Sequence, residues 1–211
     1  MPRVSRLPGG VVLSLLVLSA TASAQTDTAA MWRRGTTLNL FGGAAATSND
    51  QGPIAGGAVG WEVTPRIALE GSGTWFEWGH RAHAFGATVR GQVAIARARP
   101  VVPFLSGGVG LYRTWFRTAD TAMPEFYRRR MRNVPAPAGV SATFTDPSVV
   151  FGGGVNVFVS RHVAVRPDVE ATVVVRHSRT HVVTAAAVHL AYHFEDRPIT
   201  PARRTEPPQG P

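Results

Sequence analysis

With 211 residues the chain has room for one domain and is short for two. The absence of cysteine excludes a disulfide or cysteine-metal framework, so burial and closed hydrogen bonding must hold the fold. The net charge of +9 comes from arginine without any lysine. It does not read as a nucleic-acid footprint, because the arginines are spread over turns, loops and strand interiors in a chain that begins with an export signal.

Arg3 and Arg6 precede a short apolar core at 11–18, and Ala22-Ser23-Ala24 follows as a small-residue cleavage pattern. Residues 1–24 are therefore read as a signal peptide, with the mature chain starting at Gln25. The competing reading, an uncleaved anchor, meets an apolar run shorter than the roughly 20 residues of a spanning helix. No later stretch approaches 18 uninterrupted apolar residues, although 44% of the chain is hydrophobic. Residues 25–36 form an expected periplasmic lead.

From Thr37 onwards the chain falls into segments of period-2 alternation divided by turn chemistry. These predict strands at 37–45, 54–63, 67–75, 84–96, 104–115, 149–159, 163–176 and 182–194. The expected connections after the second, fourth and sixth strands are tight. Those after the first, third and fifth are longer, the longest being 117–146. Up-and-down outer-membrane barrels show this contrast, with short periplasmic turns and longer extracellular loops. An even strand number puts both mature ends in the periplasm. The tail, 195–211, is rich in proline and polar residues and is expected to be disordered.

Alternation fixes the faces. In the seventh strand Val163, Val165, Val169, Val173 and Val175 oppose Arg166, Asp168, Glu170, Thr172 and Arg176. In the fourth, Phe85, Val89, Val93 and Ile95 oppose Thr88, Arg90 and Gln92; in the eighth, His189 and His193 stand among alanines. A soluble lipocalin-like barrel also alternates. The apolar faces are the bulky ones, however, and the narrow interior of eight strands suits the small and polar faces. The fold class predicted is thus all-β, an eight-stranded antiparallel up-and-down transmembrane β-barrel over 37–194. Trp61, Tyr192 and Phe194 at one rim, with Trp75, Trp78, Trp115 and Phe116 at the other, are expected to form two aromatic girdles.

Three segments carry a family resemblance: PFLSGGVGLYRT (103–114), GGGVNVFVSRHVAVRPDVEATV (152–173) and AAVHLAYHF (186–194). In their order and spacing they resemble the small outer-membrane β-barrels related to the transmembrane domain of OmpA. The resemblance spans nearly all of the mature chain. It implies residence in the bacterial outer membrane and insertion by the outer-membrane assembly machinery, with Phe194 as the assembly signal. In many relatives that aromatic is the last residue, whereas here 17 residues follow it.

Candidate sites are few. Glu70, Arg90, Gln92, Arg166, Asp168, Glu170 and Arg176 are predicted to face the interior, where three acids and three arginines balance. Two readings stand: a network that fills and rigidifies the lumen, or a gate for small ions in which an arginine changes acidic partners. Arg128, Arg129, Arg130 and Arg132, around Phe126, Tyr127 and Met131 in the long loop, fit either a solvated loop or a contact with lipopolysaccharide phosphates. His177, Ser178 and His181 sit where some barrels of this size carry a lipid A deacylase pair. Adjacent side chains on a strand point to opposite faces, and no carboxylate is near in sequence. His189 and His193 are about 13 Å apart along one strand and lack partner ligands for a metal. The glycine run at Gly152 has no following helix and is no phosphate loop. The reading is a non-enzymatic, monomeric barrel with a structural or surface-interaction role, needing no cofactor and binding no nucleic acid.

Overall fold

The computed structural model describes residues 32–78, 82–96, 100–117, 141–160, 162–176 and 179–198. They form strands β1 (Trp32–Ala46), β2 (Gln51–Thr64), β3 (Ile67–Glu77), β4 (His83–Ala94), β5 (Val101–Arg117), β6 (Ser141–Phe158), β7 (Val163–Arg176) and β8 (Arg179–Pro198). Each strand pairs antiparallel with the next, and β8 returns to β1, Thr37 opposite His193 and Ala46 opposite Thr184. This closed barrel is the predicted topology. Closure removes the sheet edge, the condition for a strand structure to survive in hydrocarbon.

The turns repeat one device. Thr64 Oγ accepts from the backbone N–H of Ile67 at 3.0 Å, Ser160 Oγ from that of Val163 at 3.0 Å, and Thr47 Oγ from that of Asp50 at 3.0 Å. Each hydroxyl satisfies an amide that the reversing chain leaves unpaired.

Two boundaries differ most from the sequence reading. Residues 141–146, expected in the long connection, belong to β6 and pair with β5 as far as Arg117 opposite Ser141. The alternation persists there, but Ser141, Thr143 and Thr145 take the outer face, so the apolar contrast that marks a strand disappears. The bulged start of β1 also pairs with the end of β8, Arg34 opposite Glu195. The expected contrast in loop length is weaker as well. The turn at 177–178 is as short as 65–66, and 95–100 is longer than 47–50. It reduces to one long connection, 118–140, which lies outside the described residues. The barrel end that carries it is called here the loop end, and the opposite one the terminal end.

Outward positions carry Leu40 (65% exposed), Val89, Leu105, Val109 and Val188, a continuous apolar band. The interior has two levels. Polar and charged groups fill the terminal half, whereas the loop half is an apolar cluster containing Ile54, Phe76, Trp78, Tyr112, Phe116, Val174 and Val183. The girdle assignment is corrected accordingly. Trp61, Trp75, Trp115, Tyr192 and Phe194 point outward, but Trp78 and Phe116 are buried inside. Phe116 falls on the inner parity of β5, and Trp78 turns inward where β3 ends.

Candidate functional site

Glu70 on β3 is the centre of the polar level and is 3% exposed. Its Oε1 accepts from Arg90 Nε at 2.9 Å and Arg90 Nη2 at 2.5 Å, from the neighbouring β4. From β7, across the lumen, Arg166 donates through Nη1 to Oε2 at 2.7 Å and through Nη2 to Oε1 at 3.2 Å. Asn39 of β1 adds an amide hydrogen bond to Oε2 at 3.1 Å. One carboxylate thereby ties three further strands together through the middle of the barrel. A carboxylate so enclosed is tolerable only because both guanidiniums are charged and aimed at it.

The network runs outward from this centre. Arg90 Nη1 donates to Glu170 Oε2, and Thr172 donates its hydroxyl proton to Glu170 Oε1 at 3.2 Å. Arg166 Nη2 lies 2.7 Å from His189 Nδ1. A guanidinium can only donate, so Nδ1 must accept and the ring proton sits on Nε2. That nitrogen faces Asp168 Oδ2 at 3.0 Å. The imidazole stacks on Phe41, with ring centroids 4.4 Å apart. Glycines make the room. A Cβ on Gly108 would stand 2.2 Å from the Val89 carbonyl oxygen and 2.7 Å from Arg90 Cβ, and one on Gly154 would stand 2.6 Å from Asp168 Cβ.

The apolar level occupies the loop half. Trp78 Nε1 donates to the Tyr112 hydroxyl at 2.9 Å, which satisfies the buried indole. Phe76 stacks on Trp78 and meets Tyr112 edge-on, with centroids 5.7 and 5.4 Å apart. Arg176, expected to share the central acids, belongs to this level. Its Nη1 donates to Asp146 Oδ2 at 2.8 Å, and its cation lies 4.5 Å from the Phe144 ring centroid.

Of the seven interior residues predicted, Glu70, Arg90, Arg166, Asp168 and Glu170 come together in one constellation. Arg176 is inside but paired elsewhere. Gln92 is inside too, buried, and its amide nitrogen has no hydrogen-bond partner among the described residues. Asn39 and Asp146 join these interior pairs and were not singled out, whereas His189, weighed in the sequence only as a metal ligand, joins them too. The register places Arg166 directly opposite His189 across β7 and β8. Arg128, Arg129, Arg130 and Arg132 lie outside the described residues, as do His177 and Ser178. His181 is half-buried on the inner face of β8, and Phe194 is exposed on the outer face beside Tyr192.

No family model and no curated protein matches the chain. Solved structures do. Neisserial surface protein A aligns with a TM-score of 0.58 and 11% identity, covering 75% of this chain and 96% of that one. The N-terminal β-barrel domain of OprF from Pseudomonas aeruginosa aligns with a TM-score of 0.51 and 10% identity, covering 76% and 99%. The outer-membrane enzyme PagL gives 0.46 and 11% identity over 73% and 98%. At such identity the likeness is one of fold. The chain is an eight-stranded transmembrane β-barrel of the outer-membrane type, and its function has to be argued from its own side chains.

Proposed function

We propose that this protein is a monomeric bacterial outer-membrane barrel, kin to the OmpA transmembrane domain, that neither catalyses nor conducts. It acts through the surface it presents. The observation that carries this reading is the double closure of the lumen. A wall-to-wall ion-pair network lies in the terminal half, and a buried aromatic cluster bordered by the Arg176–Asp146 pair lies in the loop half. Hydrophobic constrictions exclude water and ions even where polar groups lie beyond them. The central ion pairs hold opposite walls together, a rigidifying role for the polar level.

The long connection 118–140 supports an orientation with the loop end outside the cell and both ends of the described chain in the periplasm. Phe194, an exposed aromatic closing the apolar face of β8, fits the role of assembly signal. The adjacency of His177 and Ser178 in sequence argues against a hydrolytic pair. Expression in cells should accordingly leave the lipid A mass spectrum unchanged.

Planar-bilayer recording of the refolded protein tests the main reading. The wild type should show no unitary steps, and the gate reading should fail with it. Arg90 does bridge two acids, Glu70 and Glu170, as a gate requires. Yet Arg90→Ala and Glu170→Ala leave the aromatic level intact and should remain silent. Resolved steps in the wild type would overturn the proposal.

A further inference from the structure

The exterior of the described strands carries few charges, and they gather at one place. Among the described strand side chains, Tyr192 of β8 apart, the charged and titratable groups on the outer face are Glu77, His83 and Arg113, at the loop end of β3, β4 and β5. Glu77 and His83 engage each other, Oε2 to Nδ1 at 2.8 Å. Arg113 is exposed, forms no ion pair among the described residues, and lies 5.3 Å above the Trp115 ring. Trp115 stacks with Trp75 at 5.8 Å, and Trp75 meets the His83 ring at 5.4 Å. An arginine on the lipid-facing side of a barrel is costly unless its head reaches an anion or water at the interface.

The wall beneath it is shaped. The register sets Arg113 beside Phe85 and Thr145, and the row two residues deeper sets Leu111 beside Ala87 and Pro147. That row lies about 7 Å further into the apolar band. There Ala87, Leu111 and Pro147, with Val89, Val109 and Gly71, line an open groove. Small residues make its floor: a Cβ added at Gly71 would meet nothing within 4 Å.

We infer that this face binds one phosphorylated glycolipid of the surrounding leaflet, with a phosphate on Arg113, a sugar ring against Trp115 and Trp75, and an acyl chain in the groove. The chemistry of each part follows from its residues. A guanidinium fork matches phosphate oxygens in pairs. Indole faces offer flat amphipathic surface at the headgroup level. A groove in the apolar band, one outward row below the cation, suits a molecule that is anionic at one end and aliphatic at the other. The site rests on the outer-membrane reading but not on the loop arginines.

The full chain, refolded in micelles doped with phosphorylated lipid A, provides the test, with bound lipid read by native mass spectrometry. The wild type should retain one lipid. Arg113→Ala should weaken binding on the order of tenfold, Ala87→Phe should weaken it by filling the groove, and dephosphorylated lipid A should bind the wild type as poorly as Arg113→Ala binds the intact lipid. The dephosphorylated arm needs no variant, so it decides the matter even where a substitution disturbs folding. Equal binding of both lipids by the wild type overturns the site. So does displacement of lipid A by millimolar inorganic phosphate alone, which reduces it to an anion contact. The membrane reading fails separately, in a wild type that shows no heat-modifiable gel band and stays in buffer when vesicles are offered.

Discussion

Glu70 is the residue on which the interior depends. Two guanidiniums converge on its carboxylate, so Glu70→Ala takes away the acceptor that Arg90 and Arg166 share and leaves their donors unpaired in a buried space, with Glu170 and Asp168 at the margin as counter-charges. The expected loss is about 3–5 kcal/mol, the usual cost of removing one partner from a buried pair. Urea unfolding in vesicles, followed by tryptophan emission, measures it; an unchanged midpoint contradicts the role given to Glu70. Replacing Glu70, Arg90 and Arg166 together with apolar residues of similar volume should not restore the midpoint, because Glu170 and Asp168 then lose their guanidinium partners. Most of this constellation was legible, since strand parity alone put Glu70, Arg90, Arg166, Asp168 and Glu170 on one side of the wall. Which acid met which arginine was not. Arg176 lies on the same face of the same strand as Arg166, yet it ends beside Asp146, a residue hidden in what read as a loop. His189 looked like one histidine among alanines because its partner, Arg166, is set by cross-strand register, and one sequence does not show that register directly.

Among the elements, β6 is the one whose sequence and structure diverge most. Its first residues, Ser141 to Asp146, alternate like the rest of the strand but offer threonine and serine to the outside, so no greasy face announced them. Further along, its glycines have a legible purpose once the register is known: Gly154 sits opposite Asp168. Gly154→Ala forces a Cβ to within 2.4 Å of the Pro167 carbonyl oxygen, and β6 and β7 must shift apart. A destabilisation of about 1–3 kcal/mol is expected, the range for overpacking. The same unfolding assay reads it, and a neutral result would mean that the strands separate there at no cost. The turns were more readable. Thr64 and Ser160 stand in short polar breaks between apolar runs, and their hydroxyls close those breaks. Ser160→Ala should cost about 1 kcal/mol, one hydrogen bond to an exposed amide.

For the molecule as a whole, the sequence favoured a barrel with bulky residues outward and small or paired polar residues inward. The outer face follows that rule, and so does most of the terminal half of the interior, where Phe104 against Arg166 and Phe158 beside His193 are exceptions. The loop half does not, because Phe76, Tyr112 and Phe116 fall on inward positions and Trp78 turns in after them. Counting aromatics by their distance from a strand end had placed Trp78 and Phe116 in the girdle, whereas their direction is what matters. The resulting molecule is a barrel with outward-facing aromatics at both rims and an interior filled by side chains at two levels. Single-tryptophan variants of the refolded protein test that arrangement most directly, with brominated lipid as the quencher from the membrane and acrylamide as the quencher from water. Trp61, Trp75 and Trp115 should each be quenched by the brominated lipid, while Trp78 is protected from both agents. Quenching of Trp78 by acrylamide would show water in the lumen, quenching by the brominated lipid would put it on the outside, and either result would contradict the sealed barrel proposed for this protein.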